Sequence, residues 1–497
     1  MGHRRGRHPG LARRHLAPSR ERGARSAARP AGPQLELDRS ADSQESLVVV
    51  RWHLCRLPHR EDPVSIDRRH FVASAAAAAA GALALPRRSF AIGVPDADPI
   101  RIGVIGCGGR GTGAVRDALT ASENVTLVAM GDIFPDRLAS AREQFAKVAA
   151  ENPGFAAKYK VTPEKTFTGI DAYQKVLAAD VDLVILATPP AFRPMHLEAA
   201  INAGKHVFME KPVCVDVTGA LSVIKSSEAA ASKHLAIVCG TQRRHDPRYI
   251  ETIKRIHDGA IGEIVAAQVY WNQGSLWNFA RKPEWSDTEW QLRNWLYFTW
   301  LSGDHIVEQH VHNLDVANWV IGALPIKATA MGGRQARTGA EYGHIFDHFA
   351  VEYEYPNGVR LMSMCRQQDG TSSQVGERIL GTKGNSNAYN KITAGGSTWS
   401  HPAVVEGLNP YVEEHRDLVA SIRAGTPLNE GRRIAESTLT AIMGREAAYT
   451  GKDVSWTQLM AAKLDLMPKP FALGSLVVPP VPMPGQTVLS RTFNEGW

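Results

Sequence analysis

Residues 99–119 read PIRIGVIGCGGRGTGAVRDAL, and this stretch decides the fold. Aliphatic residues over 100–105 predict a short buried strand. The strand runs into a GxGxxG pattern at 106–111, and an amphipathic helix is predicted from about Thr112. In such a turn the first glycine permits a tight bend, the second lets the backbone approach a pyrophosphate, and the third lets the helix pack on the strand. Because a helix N-terminus favours phosphate, the stretch predicts dinucleotide binding by Gly106, Gly108, Gly109, Arg110 and Gly111.

The next apolar run, 125–130, bears on which dinucleotide is bound, since it ends at Gly131 and Asp132. An acidic residue at this place can bind the ribose hydroxyls and repels a 2′-phosphate. Asp132 therefore favours NAD over NADP. The alternative is that Asp132 caps the helix predicted over 136–150.

Strand-like and helix-like segments alternate as far as residue 239, which predicts a doubly wound parallel sheet. Ligands of such sheets lie at the carboxyl ends of the strands. Thr188 and Pro189, at the end of a strand over 181–188, are therefore expected to bind the cofactor. The other strands predicted are 207–209 and 235–239, and the helices are 194–203 and 216–232.

Beyond residue 245 the chain changes character, and short apolar runs predict a mostly antiparallel sheet. Its strands are expected at 265–271, 349–355, 359–365 and 377–381, with closing helices at 415–425 and 432–449. The predicted fold is α/β: a Rossmann doubly wound parallel sheet followed by an α+β domain with a large, mostly antiparallel open sheet. We expect the Rossmann domain over 92–245, the substrate and oligomerisation domain over 246–462, and a Pro-rich C-terminal arm over 463–497.

Composition excludes several classes of protein. The chain has 497 residues, of which 44% are hydrophobic and 22% charged, as in folded globular proteins. The net charge of +7 comes from the first 60 residues, which carry +8, while the remainder carries −1. No general basic field therefore attracts nucleic acid or anionic lipid. The five cysteines are widely spaced without a CxxC pair, which favours neither a disulfide framework nor a zinc site.

The N-terminal region is typical of a protein-export signal. Residues 65–91 combine paired arginines (Arg68, Arg69), an apolar run over 71–85 and the small-residue site Ser89-Phe90-Ala91. This pattern predicts a secretory signal over 64–91 rather than a membrane span, and the paired arginines favour the twin-arginine (Tat) route to the periplasm. Residues 1–63 are expected to be a disordered leader or a misassigned start. The alternative for the apolar run is an ordinary Ala-rich helix.

Further motifs carry a resemblance to a known family. They are Ala203-Gly204-Lys205-His206-Val207, Glu210-Lys211-Pro212, Gln242-Arg243-Arg244-His245-Asp246-Pro247, Glu308-Gln309-His310-Val311-His312-Asn313-Leu314-Asp315 and Gly381-Thr382-Lys383-Gly384. With the glycine turn they resemble the family of glucose–fructose oxidoreductase, inositol dehydrogenase and MocA (Gfo/Idh/MocA) over about 99–460. Glu308 departs from the family pattern, which usually has Asp there. The resemblance implies that Glu210 and Lys211 lie at the cofactor and that one face of the second sheet forms homo-oligomers.

The segment 304–321 can also be interpreted physically. If it is one helix, His305, Glu308, His312 and Asp315 fall within an arc of about 80°. A solvated stripe usually carries Lys and Glu, so this stripe is expected to face a cleft; the alternative is a pair of structural histidines. The spacing lacks the HExxH pattern and no cysteine is near, so a metal site is not favoured.

Oxidation of an alcohol with NAD needs a base and a donor beside the cofactor, which itself carries the hydride chemistry. His312 is the predicted base, Glu308 is expected to orient its ring, and Lys211 is the predicted donor to the substrate oxygen. The alternative for Lys211 is an ion pair with Glu210. Arg244, His305, Asp315 and Trp277 are expected to bind substrate.

The region 271–300 contains six of the eleven tryptophans, interleaved with planar amides. Such side chains suit the faces and hydroxyls of a sugar or polyol, although a subunit interface has a similar composition. The predicted function is NAD-dependent oxidation and reduction at a CH–OH group of a sugar or polyol, with the cofactor held tightly because free nicotinamide is scarce outside the cytoplasm. The alternatives are glycoside cleavage by transient oxidation and elimination, and a non-catalytic sugar-binding or scaffold protein.

Overall fold

The computed structural model describes residues 98–402 and 405–496. The predicted leader and signal peptide, 1–91, lie outside the described residues.

The first part of the described chain alternates strands and helices. In chain order they are β1 (Ile100–Ile105), α1 (Gly109–Ala121), β2 (Val125–Asp132), α2 (Pro135–Glu151), α3 (Pro153–Lys158), β3 (Thr166–Thr168), α4 (Ala172–Ala178), β4 (Leu183–Leu186), α5 (Arg193–Asn202), β5 (His206–Met209), α6 (Val217–Ser232) and β6 (Ile237–Cys239). The strands form a parallel sheet in the order β3-β2-β1-β4-β5-β6, which confirms the predicted doubly wound sheet. Because β1 pairs with both β2 and β4, the strand order reverses beside β1, and the ligand crevice of such sheets opens there.

Burial explains why the central strands could be predicted from the sequence. All four residues of β4 are fully buried, since helices cover both faces of the parallel sheet, and such strands are continuously apolar. The short edge strand β3 has only partly buried and exposed residues, and no apolar run marked it.

The second part of the chain builds a larger sheet. Its elements are α7 (Pro247–His257), β7 (Ile264–Gln273), α8 (Asp287–Arg293), α9 (Thr299–Ser302), α10 (His305–Glu308), α11 (Val311–Ile321), β8 (Lys327–Gly333), β9 (His348–Glu354), β10 (Arg360–Gln367), β11 (Gln374–Gly381), β12 (Gly384–Ser386), β13 (Lys391–Ala394), β14 (Ser397–Ser400), α12 (Pro410–Arg423), α13 (Gly431–Thr450), β15 (Val454–Ser455) and α14 (Trp456–Ala461). The strand order is β14-β13-β12-β11-β7-β10-β9-β8-β15. Only β7 and β10 run parallel among the described pairs of this sheet, so the predicted mostly antiparallel sheet is confirmed.

The helix predicted over 304–321 is broken, and this prediction was wrong. A turn at Gln309 and His310 separates α10 from α11. His310 lies fully buried in this turn, with its Nε2 2.8 Å from the Ser363 Oγ of β10. A contact with a distant strand therefore accompanies the break, and it changes which side chains share a face.

After residue 409 the chain returns to the first sheet. Leu418 and Val419 of α12 join the core cluster formed by β1, β2 and α1, and Ile237 of β6 donates its N–H to the Leu428 carbonyl at 2.8 Å. The C-terminal arm adds the strands β16 (Leu464–Asp465) and β17 (Arg491–Thr492), which pair in parallel. Within the described residues, no helix is both long enough and apolar enough to cross a bilayer.

Candidate active site

The glycine turn between β1 and α1 shows why glycine stands at each position. Gly106 has φ +98°, and a Cβ there would lie 2.6 Å from the Ala187 carbonyl carbon. A Cβ on Gly111 would lie 1.9 Å from the Gly106 oxygen, so the start of the helix packs against the turn with no room for a side chain between them. Gly108 and Gly109, by contrast, face open space. The turn is therefore closed on the protein side and open on the side where a ligand would lie.

The open side of the turn is a cavity of about 440 Å³, within the usual range for small-molecule sites. Helix α1 begins here, at Gly109, and the N–H groups of a first helical turn lack partners within the helix. They suit the phosphates of a dinucleotide, so the cavity, the glycines and the helix N-terminus fit the predicted cofactor. Seven of the residues predicted to bind the cofactor line this cavity: Gly106, Gly108, Gly109, Arg110, Asp132, Thr188 and Pro189.

Asp132 both braces the turn and lines the cavity. Its Oδ2 accepts the Cys107 N–H at 2.7 Å, and its Oδ1 accepts the Phe134 N–H at 2.9 Å. Burial raises the pKa of Asp132, although these two N–H groups oppose the shift. Each carboxylate oxygen keeps a second lone pair, so Asp132 can still accept a ribose hydroxyl.

Arg110 connects the turn to the end of β5. Its guanidinium donates to the Glu210 carboxylate and also lies 3.2 Å from Asp117 and 3.4 Å from Glu414. Burial, and next the charge of Glu210, raise the pKa of Glu414 well above its usual range. Glu210, predicted at the cofactor, thus holds the arginine of the turn.

Lys211 pairs with Glu308, which excludes the ion pair with Glu210 considered from the sequence. The Lys211 Nζ donates to the Glu308 backbone oxygen at 2.6 Å and to its Oε1 at 3.0 Å. Both side chains are mostly buried. The expectation that Glu308 orients His312 is thereby corrected: the break after α10 removes the regular one-turn spacing, and the carboxylate holds Lys211.

His312 lies on α11 with its ring stacked on Trp271, at 5.7 Å between centroids and 17° between planes. Burial lowers the pKa of His312 well below its usual value, and the charges of Lys211 and Arg243 lower it further. The imidazole is therefore neutral at neutral pH and able to accept a proton.

The four residues predicted to bind substrate are placed differently. Arg244 and Asp315 pair with each other through two hydrogen bonds of 2.7 and 2.9 Å, and the Arg244 guanidinium lies 4.6 Å above the Trp319 ring centre. His305 is fully buried, with its Nδ1 3.0 Å from Asp304. His305 therefore belongs to the core, which corrects its prediction as a substrate contact. Trp277 lines the cofactor cavity instead.

Glu377 of β11 was not predicted as a site residue, and three side chains donate hydrogen bonds to it. Arg243 lies 5.8 Å from the Trp271 ring centre and donates to Glu377, which also accepts from Asn313 at 2.7 Å and Tyr249 at 3.3 Å. Burial raises the pKa of Glu377. The signal in the sequence was an acidic residue at an inward-facing position of β11. Among the described residues, no group of three or more His, Cys, Asp or Glu side chains could hold a metal ion.

A doubly wound sheet with this glycine turn, followed by a large and mostly antiparallel second sheet, defines a class: two-domain proteins with a dinucleotide-binding Rossmann domain. The chain belongs to the Gfo/Idh/MocA family. The model for that oxidoreductase family with an NAD-binding Rossmann fold matches residues 100–239, and the Gfo/Idh/MocA C-terminal domain model matches residues 249–386.

Similar proteins include dehydrogenases and one hydratase. An inositol 2-dehydrogenase of Rhizobium meliloti is 27% identical over 46% of this chain and 58% of its own length. Inositol 2-dehydrogenase 3 of Saccharopolyspora erythraea is 28% identical over 53% and 65%. The 2,7-anhydro-N-acetylneuraminate hydratase of Escherichia coli is 27% identical over 43% and 53%. The matches thus span less than two thirds of these relatives.

Solved structures share the fold. An aldose-aldose oxidoreductase from Caulobacter crescentus has a TM-score of 0.56 at 18% identity, over 72% of this chain and 99% of that one. The scyllo-inositol dehydrogenase from Lactobacillus casei, solved with NAD(H) and scyllo-inositol, has a TM-score of 0.54 at 19% identity over 72% and 99%.

Proposed function

We propose that the protein is an NAD-dependent oxidoreductase acting on a CH–OH group of a sugar or polyol. The observation that carries this proposal is the cluster of Lys211, Glu308 and neutral His312, joined to the glycine turn through Arg110 and Glu210. The similarity of the chain to inositol dehydrogenases supports a sugar or polyol as the substrate. Gly108, Gly109, Asp132, Thr188 and Pro189 would hold the cofactor.

The residues of the cluster have different roles in the proposed reaction. A bound nicotinamide would supply the hydride chemistry of the reaction. Lys211, held by Glu308, has an N–H left to donate to the substrate oxygen, since an ammonium carries three donors. His312 accepts the hydroxyl proton at whichever ring nitrogen faces the substrate. Stacking on Trp271 keeps the imidazole in one orientation while it does so.

The proposal is tested by identifying the nucleotide that the purified protein releases on denaturation, and then by incubating native protein with inositols and aldoses. We expect NAD or NADH to be released, and a keto product to form at the expense of a second carbonyl compound. Absence of any bound or bindable dinucleotide would overturn the proposal.

A second candidate is glycoside cleavage, in which oxidation of the ring carbon acidifies a neighbouring C–H, the aglycone leaves by elimination, water adds, and the carbonyl is reduced again. A relative named as a hydratase supports it. Aglycone release from glycosides without net consumption of NAD would favour this candidate over the first.

We also propose export by the Tat route and assembly into homo-oligomers. The signal-like sequence over 64–91 supports export. The register of the second sheet supports assembly, because Met331, Ala350, Met364 and Tyr270 lie side by side on neighbouring strands, with Met331 78% and Met364 39% exposed. A row of exposed and partly exposed apolar residues of this kind suits a contact with a second copy.

A further inference from the structure

The cofactor cavity has a wall that does not come from the Rossmann domain. Phe471, from the C-terminal arm, lines the cavity together with Trp277, Phe279 and Trp295. The Phe471 ring packs edge-on against Phe192, another lining residue, at 5.0 Å between centroids. Both family models end before the arm, so the family match does not account for Phe471.

The arm is attached on both sides of Phe471. Before it, the Leu464 carbonyl accepts from Thr218 at 3.1 Å, and the Leu466 N–H donates to the buried Asp216 carboxylate at 2.7 Å. These contacts join the arm to the start of α6. Phe471 therefore follows a segment that hydrogen bonds fix to the rest of the protein.

After Phe471 the arm is attached to α8. The Gly474 carbonyl accepts from both the backbone N–H and the hydroxyl of Thr288, each at 3.1 Å. The Leu476 carbonyl accepts from the Gln291 amide at 2.8 Å. Further along, Arg491 forms an ion pair with Glu446 at 2.6 Å, with both side chains buried. The stretch 464–476 is thus a strap held at each end, with an aromatic side chain in the middle that faces the cavity.

We propose that this strap closes the dinucleotide site and that Phe471 is a cofactor-binding residue that slows dissociation of the nucleotide. The inference rests on the proposed function, because the ligand is the proposed NAD. Aromatic faces are chemically suited to the planar rings and ribose of a nucleotide. A strap of this kind would let the enzyme keep one cofactor through successive oxidation and reduction steps.

Nucleotide dissociation tests this directly. In Phe471→Ala the dissociation rate of NADH, followed by the loss of its fluorescence on displacement with excess NAD, should rise by about tenfold or more. Leu473→Ala is the matched control, since it removes an apolar side chain from the same strap at a position that is 47% exposed, and it should dissociate at the wild-type rate. Equal rates in all three proteins would overturn the inference while leaving the proposed function standing. If the wild-type protein neither contains nor binds a dinucleotide, the proposed function itself fails.

A second measurement needs no variant, and so it does not depend on Phe471→Ala folding. The wild-type protein is stripped of nucleotide with charcoal, and hydrogen–deuterium exchange is compared with and without added NAD. Peptides covering 464–476 should exchange more slowly with NAD, whereas the β13–β14 hairpin, 391–400, should not change. Unchanged exchange in 464–476 with protection of the glycine turn would show that NAD binds without the strap, and would overturn the inference.

Discussion

Lys211 acts on two neighbours at once. It donates two hydrogen bonds to Glu308, and its charge, after burial, lowers the pKa of His312. A neutral histidine beside a cationic donor is the arrangement that alcohol oxidation needs, because one group takes the proton while the other stabilises the oxygen as negative charge develops. In the proposed reaction the lysine would therefore keep the base neutral as well as donate to the substrate oxygen.

Replacing either residue should reduce turnover strongly. We expect Lys211→Met and His312→Ala each to lower kcat by about 10²- to 10⁴-fold, the usual contribution of a proton-transfer or donor group. Bound dinucleotide, measured after denaturation, should remain, since neither side chain lines the cofactor cavity. Lys254→Met is the control: Lys254 lies on the surface of α7, paired with Asp258, and its loss should leave kcat unchanged. Wild-type rates in both site variants would remove the assignment.

The acid limb of the pH profile gives a second test of the same pair. Because the pKa of His312 is lowered, the limb of kcat/KM in the wild type should have its midpoint below the ordinary histidine value of about 6.5. Lys211→Met removes a positive charge that favours the neutral imidazole, so the midpoint of its residual activity should move to higher pH. A midpoint that stays in place or moves to lower pH would show that another group titrates.

Single residues also show where prediction from sequence stopped. Lys211, His312 and the glycines were predicted from local motifs, and their roles stay predictions. For Glu308 and His305 the prediction depended on a continuous helix, whereas the structure pairs Glu308 with Lys211 and buries His305 beside Asp304. Glu377 was missed, since its partners Arg243 and Asn313 are distant in sequence and only the fold brings them together.

At the scale of elements, the glycines of the β1–α1 turn differ in purpose. Gly111 allows close packing within the protein, and Gly108 leaves space for the ligand. Gly111→Ala should destabilise the fold by more than about 2 kcal/mol, because its Cβ would overlap the Gly106 oxygen. Gly108→Ala should leave the unfolding temperature unchanged, because no protein atom lies within 4 Å of its Cβ. It should still weaken NAD binding, since the methyl group enters the space proposed for the phosphates. Thermal unfolding and NADH titration of the two variants check this, and a thermal loss in Gly108→Ala would contradict it.

Most strands and helices could be predicted because their burial follows a period that the sequence repeats. Strand β4 and helix α6 are found within a few residues of their predicted bounds. The break between α10 and α11 could not be predicted from an apolar pattern that continues through it. It coincides with the buried contact of His310 with Ser363, which only the tertiary fold creates.

At the scale of the whole molecule, two later segments of the chain contact the Rossmann domain. Helix α12 packs into the core of the Rossmann domain, and the C-terminal arm is bonded to α6 and α8. The predicted division at 245 and 462 described the order of the segments along the chain. It carried no information on these returning contacts, because polar loops and Pro-rich arms have no periodicity that specifies a partner.

The many buried histidines make stability depend on pH. Burial lowers the pKa of His196, His310 and His344 to about 3, and lowers that of His312 and His415 well below the usual value. A histidine whose pKa is lowered on folding stabilises the protein above its unfolded pKa, and this stability is lost as the pH falls through about 6.5. Buried carboxyls act in the opposite direction, since burial raises the pKa of Asp216 to about 6 and also raises the pKa of Glu414, Glu377, Asp132, Asp117 and Glu436.

Each histidine that is neutral when buried makes the unfolded chain bind one more proton than the folded protein once the pH is below about 6.5. We therefore expect each of the five to contribute a loss of stability of up to about 1.4 kcal/mol per pH unit between pH 6.5 and 5. His415→Leu removes one of the five and lies outside the proposed active site, so its slope should be shallower by about 1.4 kcal/mol per pH unit. The measurement is thermal unfolding of the two proteins at pH 7, 6 and 5 at constant ionic strength. The same pH dependence in both proteins would mean that His415 is not kept neutral by burial, which would contradict the prediction.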